Sequence, residues 1–127
     1  AERSRVAALY TEGLRDVEAI ELPAELPNRR HAWHLFAIKL KLDRLKIDRA
    51  AFIEQMHAHG VAASVHWLPL HMQPYYRQTY GYSAAQFPVA SRVWPTLISL
   101  PIFPGIEPGE VQQVLDVVRR VAHENGV

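Results

Sequence analysis

Apolar side chains at Val6, Leu9, Tyr10, Leu14 and Val17 recur at three- and four-residue steps, and this spacing predicts an amphipathic helix over residues 1–17. Glu2, Arg3, Arg5, Glu12 and Arg15 fall largely off that stripe, on its solvated side. Pro23 to Arg30, with Pro27-Asn28 inside it, reads as a loop. From Ala32 to Leu40 the period changes to two: His34, Phe36, Ile38 and Leu40 point one way, and Trp33, Leu35, Ala37 and Lys39 the other. That is a strand.

Asp48 is a good N-cap for a helix running to about His59, with Ile47 and Phe52 placed as a hydrophobic staple and Gly60 as the C-terminal stop. Phe52, Ile53 and Met56 give this helix its buried face. Val61 to Val65 then predict a short, apolar, buried strand that delivers His66 and Trp67 at its end. Between Leu68 and Phe87 no period holds, and the stretch is long for a connection; loops of that length are usually functional or mobile. Pro88 opens a short helix that Pro95 closes, and Leu97 to Leu100 form a last strand ended by Pro101 and Pro104. Val111, Val114, Leu115, Val118, Val121 and Ala122 mark a final helix. Pro108 and Glu110 suit its start, and Arg119, Arg120 and His123 its end. The predicted class is α+β: a small, mostly antiparallel sheet with helices packed on one side.

At 127 residues the chain has a one-domain length, and its 49% hydrophobic and 21% charged residues are those of a globular domain. Fourteen Lys and Arg against thirteen Asp and Glu leave a formal charge of +1, so no nucleic-acid partner is expected. The absence of cysteine excludes disulfides, thiolate metal sites and cysteine nucleophiles. No apolar run approaches the ~20 residues of a membrane helix and no signal-peptide pattern opens the chain, which makes the cytoplasm the expected compartment and a membrane partner unexpected. The first residue is not Met and already sits in a helical pattern, the expectation for a piece of something longer.

Seven histidines raise the question of a metal. On an extended strand His31 and His34 face opposite sides, there is no His-Glu-x-x-His pattern, and no metal site is expected. The segment V-H-W-L-P-L-H-M-Q-P-Y-Y, residues 65–76, carries more information. A strand that ends in His-Trp and runs into a proline-punctuated aromatic loop can build a pocket wall, with imidazole and phenol as orienting groups and rings as stacking area. The same aromatics can simply anchor an irregular loop to the core, and the spacing alone leaves both readings open. Lys39, Lys41 and Lys46 lie on or just after a strand in a solvated stretch. No phosphate loop, serine elbow or carboxylate pair accompanies them, so no catalytic residue is assigned.

Five pieces in order, H-A-W-H-L-F-A-I (31–38), D-R-A-A-F-I-E-Q-M-H-A-H-G-V (48–61), V-H-W-L-P-L-H-M-Q-P-Y-Y (65–76), F-P-V-A (87–90) and S-L-P-I-F-P (99–104), resemble the C-terminal segment of the DegT/DnrJ/StrS nucleotide-sugar aminotransferases, which depend on pyridoxal phosphate. The resemblance covers essentially the whole chain. It implies the aspartate-aminotransferase-like fold, of which residues 1–127 would be the small C-terminal α+β domain. The family's Schiff-base lysine, its phosphate-binding residues, the Asp that partners the pyridine nitrogen and the Asn- and Arg-containing loop that reaches the partner subunit belong to the large domain. None of the three lysines here sits in a matching motif, so this chain alone is expected to be inactive and to bind no pyridoxal phosphate.

The resemblance further implies that the small domain closes part of the active-site cleft, with His66 and Trp67 matching the family's His-aromatic pair and His71 and Tyr76 behind them. His66 would hydrogen-bond the substrate or the cofactor phosphate, and Trp67 would pack on the sugar or nucleotide. The implied partners are a nucleotide-linked keto-sugar, an amino-acid donor (glutamate) and, in the parent, a second subunit. Two other readings stand beside this one. They are a stand-alone small-molecule-binding or regulatory α+β module, and a lysine-less family member that is not an aminotransferase.

Overall fold

A short antiparallel sheet organises the chain, of which a computed structural model describes residues 2–127. Its strands are β1 (Ile20–Glu21), β2 (Phe36–Leu40) and β3 (Leu97–Leu100), side by side in that order. The helices, in chain order, are α1 (Glu2–Leu14), α2 (Arg49–Ala58), α3 (Pro74–Tyr80), α4 (Pro88–Val93) and α5 (Pro108–Glu124). Across β2 and β3, Phe36 opposes Leu100, Ala37 opposes Ser99, Ile38 opposes Ile98 and Lys39 opposes Leu97. Opposed residues share a face and successive residues alternate between faces. Phe36, Ile38, Leu40, Ile98 and Leu100 therefore form one buried apolar face. Ala37, Lys39, Leu97 and Ser99 form the other.

Three helices cover the apolar face. α1 turns Val6, Ala7, Tyr10 and Leu14 inward, α2 turns Phe52 and Met56, and α5 turns Val111, Val114, Leu115, Val118 and Val121, all into one cluster with the sheet. Each large side chain so buried contributes roughly 1.5–3 kcal/mol relative to leaving it exposed. The Tyr10 ring meets Phe36 edge-on, with centroids 5.2 Å apart, and its hydroxyl donates to the Pro101 carbonyl at 2.7 Å. The helix ends follow their sequence signals. The Asp48 carboxylate accepts the Ala51 N–H at 2.9 Å to start α2, and Gly60 takes φ +79° to stop it, a conformation that favours glycine. At α5 the side chains of Glu107 and Glu110 each accept the other's backbone N–H, a reciprocal capping box.

Four sequence expectations are corrected. The first helix ends at Leu14 rather than residue 17, and its buried stripe takes Ala7 in place of Leu9, which is exposed. The strand begins at Phe36, not at Ala32. Trp33 adopts φ +49° and buries its indole between His31, stacked at 4.0 Å, and Phe36, stacked at 5.4 Å. A residue in the left-handed region cannot continue a strand, so alternation fails upstream and His34 is exposed. Burial of a large indole beside Phe36 outweighs the regular ladder there.

Residues 61–65 are not a buried strand either. Val61 is buried in the core, but Ala62, Ser64 and Val65 are exposed, and the segment's backbone pairs with the sheet at one point, Ser64 with Ser99. Last, residues 68–87 hold more structure than their lack of period suggests. Pro74 opens α3, Gly81 at φ +65° closes it, and short 3-10 turns flank it at Leu70–Met72 and Ala84–Gln86. α3 buries none of its side chains, so it leaves no apolar stripe to read.

Candidate functional site

The face of the sheet away from the helices is where the aromatic segment meets β3. Ser64 donates its N–H to the Ser99 carbonyl at 3.1 Å, and Ser99 returns its own N–H to the Ser64 carbonyl at 2.8 Å. This two-bond clasp fixes the backbone two residues before His66. Ser99 already sits opposite Ala37 in the β2–β3 ladder, so β3 carries a neighbour on each side at this point. The Ser99 side chain rises from this most constrained stretch of strand, and its Oγ lies 2.9 Å from Nδ1 of His66.

Trp67 follows at once. Its indole meets the His66 ring edge-on, centroids 5.6 Å apart at 74°, and is 81% exposed. Most of the fold's large aromatic area is partly or wholly covered, so an indole this open beside a tethered imidazole offers a flat apolar surface next to a polar ring edge.

His71 and Tyr76 occupy a different environment. His71, only 6% exposed, stacks on Phe87 at 4.6 Å with 23° between the rings. Its Nε2 lies 2.9 Å from Ser91 Oγ, and that hydroxyl donates to the Ala84 carbonyl at 3.2 Å. Tyr76 stacks on Tyr80 at 6.1 Å, Tyr80 on Tyr82 at 5.4 Å, and Tyr82 meets Phe87 edge-on at 5.1 Å. Tyr76 is thus connected to His71 through three intervening rings. The structure places His66 and Trp67 beside Ser99 on the face of the sheet opposite the helical core, and His71 and Tyr76 within the packing of the loop.

Ser99 is the residue that sequence reasoning missed. The signal available was a lone hydroxyl inside the apolar strand Leu-Ile-Ser-Leu, which alternation sends to the face opposite the core.

Among the lysines, Lys39 shares the face with Ser99 and pairs with Glu21 directly across the β1–β2 register, while Lys41 and Lys46 are exposed. A cavity of about 690 Å³ between the end of α5 and the turn after α1 is lined by Asp16, Arg44, Arg119 and His123 among others, and it holds no lysine. Among the described residues no three His, Asp or Glu side chains gather as a metal-ion set. His31 and His34 are not held on opposite faces of a strand, because residues 31–34 precede the pairing strand, which begins at Phe36. His31 is instead occupied locally, its Nδ1 accepting the Trp33 N–H at 2.8 Å. At the start of α2, Arg49 donates to the Trp94 carbonyl and lies 4.3 Å over the Trp94 ring; burial holds its guanidinium below the ordinary arginine pKa.

This arrangement, a three-stranded antiparallel sheet with five helices, superposes on one segment of a larger enzyme. Against DesV of S. venezuelae, solved with a ketimine intermediate, the TM-score is 0.83 at 28% identity, covering 95% of this chain and 31% of DesV. Two protein relatives cover the chain as fully. An uncharacterised protein of Methanocaldococcus jannaschii is 38% identical over 123 residues, 97% of this chain and 32% of its own length. The spore coat polysaccharide biosynthesis protein SpsC of Bacillus subtilis is 28% identical over 120 residues, 94% of this chain and 31% of its own length. The chain belongs to the DegT/DnrJ/EryC1/StrS aminotransferase family, whose model it matches over residues 1–119. It spans about a third of the length of these relatives.

Proposed function

We propose that residues 1–127 are the C-terminal small domain of a pyridoxal-phosphate-dependent aminotransferase that moves an amino group from an amino acid, glutamate, to a nucleotide-linked keto-sugar, and that this domain forms one wall of the active-site cleft. The observation that carries the reading is the His66–Trp67 pair. The imidazole is held at Nδ1 and leaves its other edge free, beside an indole that is 81% exposed. Sugar rings and nucleobases stack on indoles, and an imidazole edge hydrogen-bonds hydroxyl or phosphate oxygens. His71 and Tyr76 support this wall from within the loop, His71 through Ser91 and Phe87, Tyr76 through the tyrosine series.

The residues of this chain do not make a pyridoxal phosphate site by themselves. Lys39 is committed to Glu21 and the other two lysines are exposed, so none is enclosed where a cofactor aldehyde could be held against it. The cofactor, its lysine and the electron sink they provide belong to the parent's remaining two-thirds. What this chain supplies is position: a rigid donor edge and a stacking surface, with water displaced from the indole when the sugar lies on it. The parent would work as a homodimer in the cytoplasm, in polysaccharide biosynthesis. The near-balance of charge in this domain gives no support to a nucleic-acid role.

The test is to incubate the longer protein containing this domain with glutamate and a panel of nucleotide-linked keto-sugars. Sugar-dependent formation of 2-oxoglutarate is expected. No 2-oxoglutarate with any member of the panel would overturn the reading.

A further inference from the structure

We propose that Ser99 is the positioning residue for His66, accepting no proton from Nδ1 but donating to it, so that the ring carries its N–H at Nε2 and turns that donor toward an anionic oxygen of the ligand. The inference deepens the assignment of His66 to the cleft and rests on it.

The direction of the hydrogen bond follows from what each serine can do with its single proton. At Ser91 the hydroxyl donates to the Ala84 carbonyl, so toward His71 it can only accept, and His71 must donate from Nε2. Its N–H is consumed inside the loop. At Ser99 the situation is reversed. The side chain is buried, and among the described residues its Oγ has one partner, His66 Nδ1 at 2.9 Å. A buried hydroxyl that accepted from Nδ1–H would leave its own proton without an acceptor, which costs more than an unused lone pair. Ser99 therefore donates, Nδ1 accepts, and the proton of the neutral ring resides on Nε2.

The two histidines share a tautomer for opposite reasons. Only His66 keeps its N–H available, and it does so beside the exposed Trp67. The Ser64–Ser99 clasp gives the donor its rigidity: the residue that orients the ring and the backbone that delivers it are joined by two hydrogen bonds. An N–H donor fixed from behind suits a phosphate or carboxylate oxygen, which accepts hydrogen bonds only.

The experiment is nitrogen-detected NMR on the ¹⁵N-labelled 127-residue chain at about pH 8, above the ordinary histidine pKa of about 6.5. His66 is expected to show a protonated Nε2, an unprotonated Nδ1 and a single χ1 rotamer. In Ser99→Ala the ratio of Nε2–H to Nδ1–H tautomer at His66 should fall by about fivefold, the worth of one ordinary hydrogen bond, and the χ1 couplings should average. Ser99→Thr, which keeps the hydroxyl, should restore both. His71 reports in the same spectra whether the fold is intact, since its own serine is untouched. A protonated Nδ1 at His66 in the wild-type chain overturns the proposal, whatever the variants do. So does a Ser99→Ala spectrum in which neither the tautomer ratio nor the χ1 couplings change. These readouts need no turnover, so a correct tautomer with an inactive parent would refute the proposed function and leave the role of Ser99 standing.

Discussion

Asp16 and Arg119, 103 residues apart in sequence, meet in a two-point ion pair, Nη1 to Oδ1 at 2.6 Å and Nη2 to Oδ2 at 2.7 Å. Nη1 also donates to the Gly13 carbonyl at the end of α1, so one guanidinium closes the C-terminal ends of α1 and α5 against each other. The Arg119 hydrogen bonds hold the Asp16 carboxyl below its ordinary pKa. A depressed carboxylate pKa contributes stability above the unfolded value of about 3.9 and loses it as pH falls through the folded value. Asp16→Asn should therefore flatten the fall of melting temperature between about pH 5 and about pH 2. The pair is open to solvent, so added salt should shrink the difference between the two proteins. Calorimetry across that pH range, at low and high salt, checks both points.

Tyr10 gives the alkaline counterpart. Burial, with the Glu110 carboxylate as a smaller cause, pushes its phenol far above the ordinary value of about 10. The fold thus favours the protonated phenol. That preference costs nothing below about pH 10 and weakens the fold as pH rises beyond it, because the unfolded chain ionises first. Tyr10→Phe should lose about 1–2 kcal/mol at neutral pH, since the Pro101 carbonyl loses its donor, yet should decline less above pH ~10. Urea titrations at neutral and alkaline pH compare the two slopes.

His66 and His71 should separate activity from stability. In the parent enzyme, His66→Ala is expected to lower kcat/KM by roughly tenfold to a thousandfold, the effect of losing an orienting hydrogen bond, well beyond what the roughly 1 kcal/mol of stability lost with the acceptor of the Ser99 hydroxyl could cause. His71→Ala should do the reverse first: about 1–3 kcal/mol of stability goes with its stack on Phe87 and its bond to Ser91. If His66→Ala lowers the melting temperature and leaves turnover alone, His66 is a structural histidine.

Pyridoxal phosphate mixed with the 127-residue chain and reduced with borohydride should give weak labelling spread over Lys39, Lys41 and Lys46, with none labelled stoichiometrically. Peptide mapping decides this. Stoichiometric labelling of one lysine would mean that the chain carries a cofactor site of its own.

How much of this was legible in the sequence depended on whether a local signal survived packing. α2 was readable because Asp48 and Gly60 are unambiguous punctuation, and α5 because its apolar positions all face one core. The segment before β2 was not, because alternation cannot foresee that Trp33 will enter the left-handed region to bury its ring. Val61–Val65 differs for another reason: small and β-branched residues read as buried strand, yet the segment's backbone pairs with the sheet at one residue pair, Ser64 with Ser99. In the candidate site, the His66–Trp67 pair was visible as a motif. Its support was not, because a serine 33 residues away has no local relation to the histidine it orients.

The three tryptophans give the molecule a built-in optical readout. Trp33 is 4% exposed, Trp94 is half-buried beneath Arg49, and Trp67 is 81% exposed. Emission from the solvent-facing indole lies to the red of the other two and is the part open to a collisional quencher such as iodide. Unfolding would register as a red shift of the core emitters, and a ring stacking beside His66 as a blue shift and protection of one. Trp67→Phe would remove the second signal and spare the first, so occupancy and integrity can be followed in one cuvette without a label.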